Sequence, residues 1–285
     1  MRGEEKYAVA VRRMDDSIDI KDFDVPTFAK KFVKVPFLRG VMGLGEAMAL
    51  GYRALMHSAN LQLIDEEAKL AKEEGKEVAV EEEQKPLSKV VVVISVLFSI
   101  VFFISFFKVG PVILSGWIKD YFGFSDLITV ILESVLRLAI FIGYLYLVSM
   151  SKDIKRVFQY HGAEHKAIAA YENDVVLTPQ SAQQFKTAHV RCGTNFLLIV
   201  MVLSGIFYIG LSIAFKNMSL PVIIGTRVLG IFVVASVSYE LIRAASFKMR
   251  SKFTRALVWP GLQLQKVTTR PPSDDQCEVA IASLS

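Results

Sequence analysis

The run LITVILESVLRLAIFIGYLYLVSM, from Leu127 to Met150, decides the class of fold. At 1.5 Å per residue it is long enough to cross the ~30 Å hydrocarbon core of a bilayer as one helix. Its only charges are Glu133 and Arg137, four apart and so on one helical face. Three more runs meet the ~20-residue apolar criterion for a span. They are Val90 to Phe107, Phe196 to Phe215 and Leu220 to Leu241. The expectation is a mainly α-helical integral membrane protein with four transmembrane helices. A composition 53% hydrophobic and 21% charged, with mean hydropathy +0.42, adds substantial soluble parts to those spans.

The basic residues orient the spans. Lys152, Lys155, Arg156, Lys166, Lys186 and Arg191 lie in or beside the segment between spans two and three. Arg243, Lys248, Arg250, Lys252 and Arg255 follow span four, whereas the two remaining connections hold only Lys108, Lys119 and Lys216. The positive-inside rule places that middle segment and both termini in the cytoplasm, as in a bacterial inner-membrane protein. The charged opening stretch lacks the apolar core of a signal peptide, so the first span is expected to act as the insertion signal. The distant cysteines 192 and 277 suggest no disulfide framework. The bilayer is the expected partner, besides a substrate or protein that the residues do not name; no nucleic-acid partner is expected, and no pattern fixes an oligomeric state.

Between and before the spans the chain divides by pattern. Residues 1–35 hold a β-hairpin over Tyr7 to Val25: an apolar, partly β-branched strand from Tyr7, a turn at Asp15-Asp16-Ser17, and alternation in Ile18-Asp19-Ile20. Residues 36–64 read as an amphipathic, membrane-associated helix in which Glu46, Arg53 and His57 form a structural polar stripe. Residues 65–88 turn to Glu, Lys and Ala, a charged cytoplasmic linker. Spans one and two occupy 89–150, and 151–195 reads as a cytoplasmic helical hairpin. Its first arm continues the helix of span two, Asn173-Asp174 stop it, and Thr178-Pro179 start a second arm ending near His189. Spans three and four fill 196–241, and 242–285 is a cytoplasmic tail in which Trp259-Pro260-Gly261 breaks structure and Ser273-Asp274-Asp275 caps a last short helix.

Three of the four histidines, His161, His165 and His189, gather in the hairpin. At 100° per residue, His161, His165 and Glu172 fall within about 40° of one another, and Glu164 lies about 60° to one side. Two imidazoles and a carboxylate on one face, with His189 returning on the other arm, suit a divalent metal, zinc or another borderline ion. Glu164 would then be the general base. His-Gly-Ala-Glu-His also fits the H-x-x-E-H string of inverted zincins, although five residues with two free positions recur by chance. The competing account is that these side chains are interfacial polar groups bonded to neighbouring helices. Cys192 fits best as a small residue packed in a tight turn, with ligation by its soft sulfur as the alternative. Within the spans, Glu133, Arg137 and Arg227 fall at similar depth. They form an internal ion-pair cluster or, alternatively, a polar path for a substrate or proton.

The blocks Phe158-Gln-Tyr-His-Gly-Ala-Glu-His-Lys, His189-Val-Arg-Cys-Gly-Thr-Asn-Phe and Thr268-Thr-Arg-Pro-Pro-Ser-Asp-Asp-Gln-Cys-Glu-Val-Ala-Ile resemble the YqhQ-like family of bacterial membrane proteins. Pro36-Phe-Leu-Arg-Gly and the stretch from Gly51 to Ser58 fit as well, so the resemblance spans almost the whole chain. That family has no established function and carries the label of a predicted metal-dependent enzyme. Its members usually have a Gly-Gln-Ala-Val-x-Glu-Gly-Val-Met-Met-Arg-Gly block, of which Met1-Arg2-Gly3 stands here. The resemblance therefore implies a start placed late or a shortened N-terminus, and a glutamate upstream of it.

The leading expectation is a metal-dependent hydrolase with a cytoplasmic-face site acting on a peptide or lipid-linked substrate. The alternatives are a non-enzymatic scaffold or assembly factor with a structural metal, or a small transporter using Glu133, Arg137 and Arg227.

Overall fold

The computed structural model describes residues 1, 3, 5–25, 35–73, 89–215, 220–247 and 251–284, without the side chains at 89, 92, 220, 221, 223–225, 227, 228, 246, 247 and 253. The fold is mostly helical. Strands β1 (Lys6–Arg12) and β2 (Ile18–Asp24) form an antiparallel hairpin that pairs Ala8 with Asp22 and Arg12 with Ile18. Its turn needs the left-handed region at Asp16, φ 65°, a conformation that a short polar side chain tolerates. Asp15 Oδ1 accepts from the Ser17 amide at 3.0 Å and from its hydroxyl at 2.6 Å.

The hairpin rests on helix α1 (Leu38–Glu73) through Tyr7, Val25 and Leu50. Asp65 accepts two bonds from Arg13 Nε, at 2.9 and 3.0 Å, and Asp19 Oδ2 lies 3.0 Å from His57 Nε2. His57 thus joins α1 to the sheet rather than only completing a stripe on its own helix. The helix runs past residue 64 into the charged segment because Glu, Lys and Ala favour helix; residues 74–88 of the predicted linker lie outside the described residues.

Helices α2 (Lys89–Ile104) and α3 (Gly110–Phe122) are joined by a π turn, Ser105–Val109, into one long rod. The first span therefore does not end at Phe107: Lys108 lies in the π turn and Lys119 in the helix beyond it. The cause is local. Pro111 has no N–H to donate, and a π turn, in which the Gly110 amide reaches back to Ser105, re-sets the ladder ahead of it. Gly123, φ 70°, ends α3 in the left-handed conformation, and Ser125 caps α4 (Asp126–Val148).

Among the described residues, three helical stretches are long and apolar enough to cross a membrane: Val93–Phe122, Asp126–Val148 and Gly193–Ala214. After α4 the chain breaks at Ser149–Ser151 instead of continuing straight, and α5 (Lys152–Glu172) starts anew. The second arm of the hairpin is a single turn of helix, α6 (Pro179–Gln183), closed by a Thr178–Ser181 capping box. It stops well before His189 because side chains take its carbonyls. Lys166 Nζ donates to Gln183 O at 2.8 Å and to Phe185 O, so the backbone there needs no further helix to be satisfied.

Helix α7 (Gly193–Ala214) packs between α4 and α8 (Leu220–Phe247), and α8 packs on α1, where Glu240 accepts from Arg39 Nε at 2.7 Å. Beyond α8, helix α9 (Lys252–Thr268) runs straight through Pro260. The sequence break expected at Trp259-Pro260-Gly261 does not form. The bond lost at Pro260 costs a few kcal/mol, while Val258, Leu264 and Gln265 are buried on the same helix. Gly261 is required: a Cβ there would stand 1.7 Å from Asn195 Oδ1. The predicted tail is thus folded, and α10 (Asp274–Ala282), capped by Ser273 and Gln276, closes the alanine face of α5. That face, Ala163, Ala167 and Ala170, is fully buried against Ala182 and Cys277.

Candidate metal centre

Helix α5 presents His161 and His165 one turn apart, their rings 4.4 Å between centroids. The residue between them that matters most is Gly162. A Cβ at Gly162 would lie 2.2 Å from Arg270 O, so only glycine lets the segment after α9 cross the helix at this point. The crossing is fixed by the Arg270 amide donating to Phe158 O at 2.8 Å. It brings Thr268 O to 2.8 Å from His161 Nδ1. His165 Nδ1 meets a second backbone carbonyl, Thr187 O. A carbonyl only accepts, so both Nδ1 atoms carry the proton and both Nε2 atoms face away from these bonds, the arrangement a metal-ligating histidine uses.

Cys192 completes the convergence. Its Sγ stands 3.3 Å from His161 Nε2, and the ligand atoms of His161, His165 and Cys192 lie within 4.8 Å of one another. Cys192 is also the cap of α7, and its sulfur accepts from the Thr194 amide at 3.4 Å. Burial alone would raise this thiol, but hydrogen bonds from His161, His165 and Thr194 outweigh it and bring the pKa to about 5. Burial would lower His161, yet the bond and charge of Cys192 raise it above its ordinary value. Without a metal the two shifts act in the same sense, each favouring a thiolate–imidazolium couple over the neutral pair.

The loop that carries Cys192 is held from α9. Gln265, fully buried, donates through Nε2 to His189 O and accepts through Oε1 from the His189 amide, both at 2.8 Å. Asn195 Nδ2 donates to Val190 O at 2.8 Å. The side chain of His189 faces Glu172 rather than the convergence: Nε2 is 3.6 Å from Glu172 Oε2, and Glu172 Oε1 accepts from Arg191 at 2.9 Å. Burial lowers the His189 pKa against the pull of Glu172. Even so, His161, His165, Glu172, His189 and Glu164 all line one cavity of about 470 Å³, with Glu164 exposed at its edge.

A tetrahedral zinc at ~2.0–2.3 Å from its ligands sets them roughly 3.5 Å apart. Two imidazole nitrogens and a thiolate at the spacing seen here are a borderline-soft donor set that fits such an ion. Sequence reading favoured packing for Cys192. Its position at the head of an apolar helix, three residues after His189, was the available signal. The Gln265 and Thr268 contributions come from a segment more than 70 residues away and had none.

Inside the helices apolar enough to span, Arg137 donates to Glu133, both buried, and lies 5.9 Å from the Tyr208 ring centre. The side chain of Arg227 lies outside the described residues.

A family profile described as "Protein of unknown function (DUF1385)" matches residues 35–285, and the chain belongs to that family. The chain is 35% identical to the uncharacterized protein YqhQ of Bacillus subtilis (strain 168), over 99% of its own length and 87% of the relative's. No solved structure matches it.

Proposed function

We propose that this member of the family is a metal-dependent hydrolase of the bacterial inner membrane, with its site on the cytoplasmic face. The observation that carries the proposal is the convergence of His161, His165 and Cys192, with each imidazole fixed through Nδ1 by a backbone carbonyl. These three would hold a divalent ion, zinc by the nature of the donors. Such an ion, when bound, polarises a carbonyl or phosphoryl oxygen and acidifies water. His189 and Glu172, on the same cavity, are the next donors within reach and the groups that would orient a substrate, together with Arg191.

Glu164 would act as the general base. It lines the cavity from the outside of α5 and is exposed, so its carboxylate is free to take a proton and pass it to solvent. The substrate class that suits a site at the head of an apolar helix is a peptide or a lipid-linked molecule. Four spans, with α8 as the fourth, put both termini and residues 151–195 on the cytoplasmic side by the Lys/Arg asymmetry. A second reading, a structural ion in a non-enzymatic scaffold, has one observation in its favour: His165 and Cys192 are only 5% exposed each. The transporter alternative would rest on Glu133 and Arg137.

Elemental analysis of the purified protein, its His161→Ala and Cys192→Ser variants, and Glu164→Gln tests the proposal. Near-stoichiometric metal should be present in wild type and Glu164→Gln and lost from the other two. Glu164→Gln should fail to complement a deletion phenotype. Metal-loaded Glu164→Gln that complements fully would establish the scaffold reading instead, and wild type that binds no metal would end both.

A further inference from the structure

Helix α9 is two-faced. Thr254, Val258, Gly261, Leu264, Gln265 and Thr268 turn inward and are buried. Lys252, Arg255, Trp259 and Lys266 turn outward and are exposed, Trp259 at 59%. At 100° per residue these four outward residues fall within an arc of about 60°, a single stripe of three cations around one indole. Among the described residues none of the three cations is in an ion pair.

The inward face places the stripe. Leu264 clusters with Phe141, in the last third of α4, and with Leu198, in the first third of α7, while Gly261 abuts Asn195 in the first turn of α7; these are the sides from which the two apolar stretches meet the site. Helix α9 therefore lies across the site-side ends of two helices apolar enough to span. An exposed tryptophan among lysines and arginines at that level has the composition of a helix seated among lipid headgroups.

We propose that the outer face of α9 is a binding surface for anionic phospholipid headgroups, with Trp259 entering the headgroup layer and Lys252, Arg255 and Lys266 pairing with the lipid phosphates. The inference rests on the membrane reading given above. It adds that the bilayer surface holds the helix whose inner face, through Gln265 and Thr268 O, orients the His–Cys site. Each basic side chain near an anionic surface strengthens association about fivefold, and salt weakens it.

The chain has only two tryptophans, Trp117 and Trp259, which makes a direct test available. Full-length protein with Trp117→Phe is placed in nanodiscs of phosphatidylcholine, with or without a quarter of phosphatidylglycerol, all brominated near the headgroup. Quenching of Trp259 should rise about twofold with the anionic lipid at low salt and fall back at high salt. The triple variant Lys252→Gln, Arg255→Gln, Lys266→Gln should lose the dependence, while Lys252→Arg, Arg255→Lys, Lys266→Arg keeps it. Equal quenching in both lipids, or a triple glutamine variant that behaves as wild type, overturns the proposal. The companion protein with Trp259→Phe reports Trp117 in the first apolar stretch. If Trp117 is unquenched in every lipid, the membrane reading itself fails; if only Trp259 is unquenched, the failure is confined to α9.

Discussion

Gly162 carries a geometric demand that its helix propensity alone would contradict. Replacing it with alanine should gain ~1 kcal/mol of helix propensity. The new Cβ would meet Arg270 O at 2.2 Å, however, and backbone cannot yield as a side-chain tip does. Overpacking of this kind costs ~1–3 kcal/mol, so Gly162→Ala should lower the unfolding temperature in detergent. It should also reduce bound metal, because the displaced segment carries the Thr268 carbonyl that holds His161. An alanine variant with unchanged melting and full metal content would show that the crossing is not what orients the histidine. At Cys192 the expectation concerns pH. With metal removed by chelator, alkylation requires the thiolate, so its rate should stay level on lowering the pH from 9 and fall only through a midpoint near the pKa of about 5. His161→Ala removes the leading hydrogen bond that depresses the thiol, and the midpoint should climb toward the ordinary 9.0. Cys277, whose thiol burial pushes up, should contribute little at any of these values. A wild-type midpoint near 9 would rule out the thiolate–imidazolium couple. The histidine pair was legible in the sequence because its i,i+4 spacing is local. The sulfur and the two carbonyls were not, since each reaches the site only through packing of distant segments.

At the scale of elements, local patterns gave helices and hairpin well and their ends less well. The apolar run from Tyr7 and the alternation at Ile18-Asp19-Ile20 pair as expected. The long rod through Pro111 and the unbroken α9 through Pro260 depart from the rule that proline ends a helix, in one case by a π turn and in the other by the buried face on the same helix. The predicted second arm of the hairpin failed for the converse reason: Lys166 and His165, on α5, take the carbonyls that a longer α6 would have needed. The pair Glu133–Arg137 on α4 was visible from spacing alone, and the structure joins the two. Both side chains are buried, so Glu133→Gln leaves a guanidinium short of its counter-charge in low dielectric. Removing one partner of a buried pair costs ~3–5 kcal/mol, and the variant should melt lower in detergent with Arg137 as the cause. Glu133→Gln combined with Arg137→Met, an apolar replacement of similar length, should recover most of that loss. If Glu133→Gln keeps wild-type stability but abolishes complementation, the pair serves passage of a substrate or proton and not the fold.

On the scale of the whole molecule, the candidate site stands at one end of the helical assembly. Helix α4 runs from the Gly123–Ser125 turn to the break at Ser149, and α7 starts from Cys192, so the site and the 123–125 turn stand at opposite ends of α4. The basic residues divide the same way. Lys155 and Arg156 follow the site end of α4, and at the other end Lys119 is engaged by Asp126 at 2.7 Å, leaving little net positive charge there among the described residues. In the orientation proposed above from the positive-inside rule, the site end is cytoplasmic. A cysteine at Lys155, an exposed position on α5, should therefore resist a membrane-impermeant maleimide in intact cells and react once the inner membrane is opened. A cysteine at Asp120, exposed at the other end of the helices, should label in intact cells with a permeable outer membrane. The two native cysteines are buried and set the baseline for both measurements. Labelling at Lys155 and protection at Asp120 would invert the protein. A thiolate–histidine site facing an oxidising compartment would then lose its cysteine ligand to oxidation, and a stable thiolate-bound metal there would be untenable.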